Sequence, residues 1–208
     1  MDGSNGEKIQ SNLDEKTISG FGDEWKRLPQ HDLGKKQRQL IFDDYFAIFP
    51  WSLLPKDAIG IDVGCGSGRW AQVMAKRVKH LHLLDASADA LEVAKYNLSQ
   101  YENVSFHNTS IESMQFENNS LDFAYSLGVM HHITDTAAAI RSVSCKLKSG
   151  APYLIYLYYA FDNRPQWYRY FWKASELGRY LISRFPYPLR YFTSQLIAAG
   201  IYWPLARL

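Results

Sequence analysis

The apolar positions of this chain change rhythm twice. In "KKQRQLIFDDYFAIFPW", residues 35–51, Leu40, Ile41, Tyr45 and Ile48 recur at helical spacing. Pro50 and Pro55 close that helix. From Ala58 short apolar runs take over and alternate with helical patterns. "AIGIDV" (58–63) predicts a first strand. "GRWAQVMAKRVKH" (68–80) predicts a helix with Trp70, Val73, Met74 and Val78 on one side. "LHLLD" (81–85) reads as a second strand. "SADALEVAKYNLSQ" (87–100) is a helix with Ser87 as N-cap, carrying Leu91, Ala94, Tyr96 and Leu98 at near-helical spacing. "NVSFHN" (103–108) gives a third strand and "SLDFAYSLGVM" (120–130) holds a fourth. "TDTAAAIRSVSCKLKSG" (134–150) predicts a helix opened by Thr134 or Asp135 and closed by Gly150. "APYLIYLYYA" (151–160) is the fifth strand.

Short, mostly apolar strands alternating with helices predict an α/β fold. Its parallel sheet is covered on both faces and its crossovers are right-handed. Beyond residue 160 the alternation stops. The segment from Arg164 to Leu208 reads as two helices separated by Pro186 and Pro188. In the first, Trp167, Tyr170, Phe171, Ala174, Leu177 and Leu181 form one stripe, and Arg169, Lys173 and Glu176 another. Such a stripe ordinarily packs against a neighbour. Its excess of Trp, Tyr and Arg also suits an interface or a membrane-surface helix. The domain reading is therefore a mobile N-terminus (1–20), a helical cap (21–57), an α/β core (58–160) and a helical segment (161–208).

Composition narrows the classes. A chain of 208 residues, 47% hydrophobic and 21% charged, is soluble and globular with a real core. The net charge of +2 predicts no strong attraction to nucleic acid. Residues 161–208 hold seven Lys/Arg against two acidic residues, so the remainder is net acidic. Two cysteines, Cys65 and Cys145, are too few for a disulfide framework. "MDGSNGEKIQ" lacks the apolar stretch of a signal peptide, which points to the cytoplasm. The longest uncharged run, residues 191–206, has 16 residues, short of the roughly 20 that a spanning helix needs. "KKQR" at 35–38 reads as a solvated helix face.

The chemistry starts at "IGIDVGCGSGRWA", residues 59–71. Gly64, Gly66 and Gly68 follow the first strand and open a helix, at the sheet edge where open parallel sheets bind ligands. The spacing is G-x-G-x-G, and Arg69 stands where the third glycine of the dinucleotide fingerprint belongs. Asp85 ends the second strand 21 residues after Gly64. A carboxylate there matches the two hydroxyl donors of a ribose. Cys65 serves this loop as a small residue. His131 and His132 follow the fourth strand at the same edge, where an imidazole suits a general base or simple packing. His80 and His82 share a strand face and, lacking a cysteine or carboxylate partner, read as structural; no metal site is expected.

"IDVGCGSGRWA", "LLDAS" and "LDFAYSLGVMHHITD" followed by "KLKSG" resemble, in order and spacing, the class I S-adenosylmethionine-dependent methyltransferases. The nearest resemblance is to the group with a type 11 methyltransferase domain, over residues 58 to about 158. It implies a Rossmann-like parallel sheet of strand order 3-2-1-4-5 with helices on both faces, and S-adenosyl-L-methionine as cofactor. It also implies roles. Asp62 and the backbone of Gly64, Cys65, Gly66, Ser67 and Gly68 would contact the methionine part. Asp85 would hold the ribose hydroxyls with Ala86 beside the adenine. Ser110 and Ile111 stand where the family contacts the adenine ring, with Ser110 in place of the acidic residue many members carry. Backbone from Ser126 through Leu127 to Gly128 would approach the methionine amine.

The expected activity is methyl transfer to a small-molecule acceptor by in-line displacement, with His131 as candidate base. Two other readings stay open: a non-catalytic cofactor-binding or membrane-surface scaffold, and an NAD-dependent oxidoreductase. Phe21 and Trp25 would form a lid on the cofactor or staple the first helix to the sheet. The family closes its sheet with a final β-hairpin. No sixth or seventh strand is evident after Ala160, so the hairpin is expected to be missing and the sequence truncated.

Overall fold

The computed structural model describes residues 34–158 and 164–205 and the single positions 20 and 207. The expected lid pair, Phe21 and Trp25, and most of the mobile N-terminus lie outside them. The chain divides into two compact units, Met1–Tyr158 and Tyr159–Leu208.

In the first unit, five strands form one parallel sheet: β1 (Ile59–Val63), β2 (His80–Asp85), β3 (Val104–Asn108), β4 (Phe123–Leu127) and β5 (Tyr153–Tyr156). Their spatial order is β3-β2-β1-β4-β5, as the resemblance implied. Alternation along β1 explains the two layers of core. Ile61 and Val63 point to one face, with Leu84, Ala124, Met130, Ala139 and Val143. The other face holds Leu81, Leu83, Phe123 and Tyr125 against Phe42, Phe46, Trp70 and Met74. Gly60 pairs with Phe123 in the register, and the Phe123 ring lies where a Gly60 side chain would be. A Cβ there would sit 2.2 Å from that ring. Glycine in β1 thus allows a phenylalanine to lie flat across the strand.

The helix α1 (Lys35–Tyr45) forms where expected, with Ile41 and Tyr45 packed against the core, but its most buried positions are others. Leu40 and Ile48 are exposed, and Phe42, Phe46 and Phe49 enter the core. Phe42 and Phe46, four residues apart, stack at 4.1 Å, and Phe46 meets Tyr125 edge-on at 5.2 Å. Aromatic area and this geometry outweigh the aliphatic pair.

Of the expected helix at 68–80, only α2 (Ala71–Met74) is regular. The chain then falls into turns because Lys79 N–H already donates to Ala58 O at 2.9 Å and starts β2. Its predicted apolar residues, Trp70, Val73, Met74 and Val78, are nevertheless all buried. In α3 (Ala88–Asn97) the Ser87 hydroxyl caps Ala90 N–H at 3.3 Å. Tyr96 is exposed rather than part of its buried stripe. In α4 (Thr136–Ser144) the cap is Asp135, whose Oδ1 accepts from Ala138 N–H at 2.8 Å. This helix stops at Ser144, short of Gly150, because residues 145–148 turn to pair with 119–121 (Ser120 N–H to Lys146 O, 2.9 Å; Lys148 N–H to Leu121 O, 2.9 Å).

The second unit holds α5 (Gln166–Ser183) and α6 (Tyr187–Ile197). Pro186 caps α6 and Pro188 lies in its first turn, where a missing N–H leaves no bond unmade. Among the described residues no helix is long and apolar enough to cross a membrane.

Candidate cofactor site

The loop from Gly64 to Gly68 leaves the end of β1 and is fastened on three sides. Gly64 and Cys65 N–H both donate to Leu84 O, at 2.7 and 3.1 Å, tying it to β2. Asn97 Nδ2 donates to Ser67 O at 2.9 Å, tying it to α3. Gly66 N–H donates to Asp85 Oδ2 at 2.8 Å.

All three glycines have positive φ, 75°, 53° and 70°, the left-handed region that a side chain disfavours. Two are also crowded by protein. A Cβ on Gly64 would lie 2.5 Å from the Val129 methyls, and one on Gly68 would lie 2.8 Å from Leu98 Cδ1. Close approach of loop to protein therefore accounts for Gly64 and Gly68. Cys65 is a buried, unbridged thiol packed in the core.

Asp85 is held from both sides. Its Oδ1 accepts Ser87 N–H at 2.9 Å while Oδ2 accepts Gly66 N–H. Burial raises its pKa and these two backbone bonds oppose that. A carboxylate accepts about four hydrogen bonds, so each oxygen keeps room for a hydroxyl. Asn108, at the end of β3, supports the turn by donating from Nδ2 to Asp85 O and Ala86 O, both at 3.1 Å.

Asp62 is buried beneath the loop. Tyr125, its register partner on β4, donates to Asp62 Oδ2 at 2.8 Å. Burial dominates the carboxyl and raises its pKa to about 8, with a smaller contribution from the charge of Asp85 and opposition from the Tyr125 bond. Ser126 Oγ donates to Val63 O at 3.0 Å, joining β4 to the mouth of β1. Leu127 ends β4, and Gly128 (φ 77°) turns the chain while its N–H donates to Tyr156 O.

Ser110 and Ile111 follow β3. Ser110 Oγ donates to Ser113 Oγ at 3.1 Å, and Ile111 is buried with Leu84 and Met114. His131 sits in a 3₁₀ turn, Met130–His132, just after β4. Its ring packs against Tyr158 at 4.4 Å and His132 at 4.1 Å. Both His131 ring nitrogens are buried without a hydrogen-bond partner, and burial lowers its pKa. His80 and His82, away from this edge, are hydrogen-bonded to Ser105 (2.8 Å) and His107 (3.1 Å). Among the described residues no group of three or more His, Cys, Asp and Glu side chains is placed to hold a metal ion.

The site therefore gathers the glycine loop, Asp85 and the end of β4 at one carboxyl edge of the sheet. Its donor set fits an adenosyl sulfonium. It has a carboxylate with acceptor capacity left on both oxygens, glycine backbone, and a Ser67 hydroxyl that is buried without a partner inside the loop.

A family model described as "Methyltransferase domain" matches residues 61–150. The uncharacterized methyltransferase YcgJ of Bacillus subtilis is 30% identical over 102 residues, which is 48% of this chain and 40% of YcgJ. The crystal structure of YcgJ superposes with a TM-score of 0.50 at 25% identity, covering 54% of this chain and 49% of that one. The ubiquinone biosynthesis O-methyltransferase of Nitrosomonas europaea is 34% identical over 92 residues, 43% of this chain and 39% of the relative. Phosphoethanolamine N-methyltransferase 1 of Haemonchus contortus, solved with phosphoethanolamine and S-adenosylhomocysteine, has the same fold. Its TM-score is 0.51 at 19% identity, over 64% of this chain and 30% of that one. The chain spans less than half the length of the two curated relatives. Residues 61–150 thus match a methyltransferase domain on the fold of YcgJ, which supports the resemblance to the class I S-adenosylmethionine-dependent methyltransferases.

Proposed function

We propose that this chain transfers a methyl group from S-adenosyl-L-methionine to a small-molecule acceptor by in-line displacement. The observation that carries the reading is the Asp85 carboxylate, fixed by Gly66 and Ser87 N–H beside the glycine loop. The names of the relatives support a small acceptor: one acts in ubiquinone biosynthesis and another structure holds phosphoethanolamine.

When bound, the cofactor supplies a methyl carbon activated by positive sulfur, so most of the protein's task is positioning. Asp85 would accept the two ribose hydroxyls, with Ala86, Ser110 and Ile111 lining the adenine side. Backbone of Gly64, Cys65, Gly66, Ser67 and Gly68 would lie along the methionine part, and that of Ser126, Leu127 and Gly128 near its amine. The Asp62 carboxyl, kept largely protonated by burial, ionises most readily when a positive group comes close. His131 would take the proton of an acceptor hydroxyl or amine. Its lowered pKa favours the neutral ring at pH 7, in which one of the two unpaired nitrogens can accept a hydrogen bond and the other donates.

The test is turnover with methyl-labelled cofactor and a panel of phenolic, amine and carboxylate acceptors. Label transferred to a small molecule, and lost in Asp85→Ala, supports the reading. Tight cofactor binding with no transfer to any acceptor leaves the non-catalytic reading.

A further inference from the structure

The second unit is not explained by cofactor binding. On α5 the apolar stripe Trp167, Tyr170, Phe171, Ala174, Leu177 and Leu181 is solvent-facing. Tyr170 and Phe171 are each 70% exposed and Trp167 67%, so the usual fate of such a stripe, a packed core, is not met here. At 1.5 Å per residue the stripe runs for about 20 Å along the helix. Leu189, Phe192 and Leu196 repeat the pattern on α6 and are exposed too.

The charge is as uneven as the hydrophobicity. Residues 166–205 carry five Lys/Arg and one acid, Glu176. That acid is already paired with Arg179 at 3.5 Å. Arg169 lies on the polar side of α5 and Lys173 at the flank of the stripe, and both are exposed. Arg184 lies over the Tyr180 ring at 3.5 Å, an arginine–aromatic pair at the end of the helix. The same 40 residues hold 12 of the chain's 31 aromatic side chains. Trp and Tyr have an apolar body and a polar tip, which suits the boundary between lipid and water.

We infer that α5 lies flat on an anionic lipid surface, its Trp167–Leu181 stripe inserted among the acyl chains and Arg169 and Lys173 at the headgroups. Apolar and basic faces on one exposed helix are the marks of an in-plane amphipathic helix. The charges at Arg169, Lys173, Glu176 and Arg179 fall within the helix and rule out a spanning arrangement. The net positive charge selects anionic over neutral lipid.

The test uses the full chain and no cofactor, so its result is independent of the methyl-transfer reading. Sedimentation is measured with vesicles of phosphatidylcholine alone and with vesicles containing 30% phosphatidylglycerol. We expect partition at least tenfold stronger onto the anionic vesicles, falling several-fold on raising the salt, with a blue shift of tryptophan emission. The double variant Phe171→Ser/Leu177→Ser, at exposed positions that leave the fold intact by circular dichroism, lowers partition at least tenfold. Arg169→Glu/Lys173→Glu removes the preference for anionic vesicles. The inference is overturned if the chain stays in the supernatant with anionic vesicles or if the serine double variant partitions like the parent. It is also overturned if that variant instead abolishes a concentration-dependent dimer, which would assign the stripe to a second copy.

Discussion

Gly66 and Asp85, 19 residues apart, are joined by a 2.8 Å hydrogen bond from the glycine N–H to Oδ2 of the carboxylate. The bond makes the loop and the Asp85 carboxylate one unit. Ser87 N–H completes the clamp on the other oxygen. Asp85→Ala is expected to lower affinity for S-adenosylmethionine at least a hundredfold while the domain stays folded. Asp85→Asn presents an amide N–H₂ to one of the two backbone donors and should lower affinity at least tenfold. Calorimetric titration of both variants checks this. Parent-like affinity in Asp85→Ala refutes the assignment.

Two glycines should prove structural when replaced. Gly60→Ala drives a methyl into the buried Phe123 ring, and about 2–4 kcal/mol of stability should be lost as strand and ring are forced apart. Gly68→Ala combines a strained φ of 70° with a clash against Leu98, for a loss of about 1–3 kcal/mol. Urea denaturation measures both. Unchanged midpoints would mean that the Phe123 and Leu98 contacts are not rigid.

The pair Asp62–Tyr125 predicts a conflict between stability and function. The carboxyl pKa stands at about 8 in the folded state against its ordinary 3.8. The native state therefore holds a proton that the unfolded state releases across that window, and this group makes stability fall as pH rises from about 4 to 8. Asp62→Asn removes that slope while keeping an oxygen for the Tyr125 hydroxyl. The variant should be more stable than the parent at pH 8 by about 1–3 kcal/mol. It should also bind the cofactor at least tenfold more weakly. Thermal denaturation at pH 5 and pH 8 with cofactor titration tests both halves; a variant that loses stability at pH 8 contradicts the account.

His131→Ala should lower the methyl-transfer rate at least tenfold and leave cofactor affinity nearly intact. With the imidazole pKa below its usual 6.5, the parent's kcat/KM should decline only on the acid side of that value. The variant should lack that acid limb. An unchanged profile would reduce His131 to a packing residue.

The sheet was legible in the sequence because its strands are short apolar runs broken by glycine, Asn and Asp, and the parallel order followed from the resemblance. Asp85 and the three glycines stood out by spacing alone. What could not be read depends on register between distant strands. Tyr125 meets Asp62 across 63 residues, and Asn97 reaches Ser67 O across 30. No local pattern marks either, nor the Asn108 bonds to Asp85 O and Ala86 O. The α1 face was half read for a related reason: Ile41 and Tyr45 pack against the core, but Leu40 and Ile48 are exposed, and Phe42 and Phe46 win the interior by stacking on each other and on Tyr125. The extra turns expected after Met74 were absent because β2 begins at a bond to Ala58.

The measurement that tests the central claim most directly is isothermal titration of the folded chain with S-adenosylmethionine, its demethylated product S-adenosylhomocysteine, and NAD. The account predicts saturable one-to-one binding of the first two, lost in Asp85→Ala, and no heat with NAD. A folded chain giving no heat with either sulfur compound would contradict it.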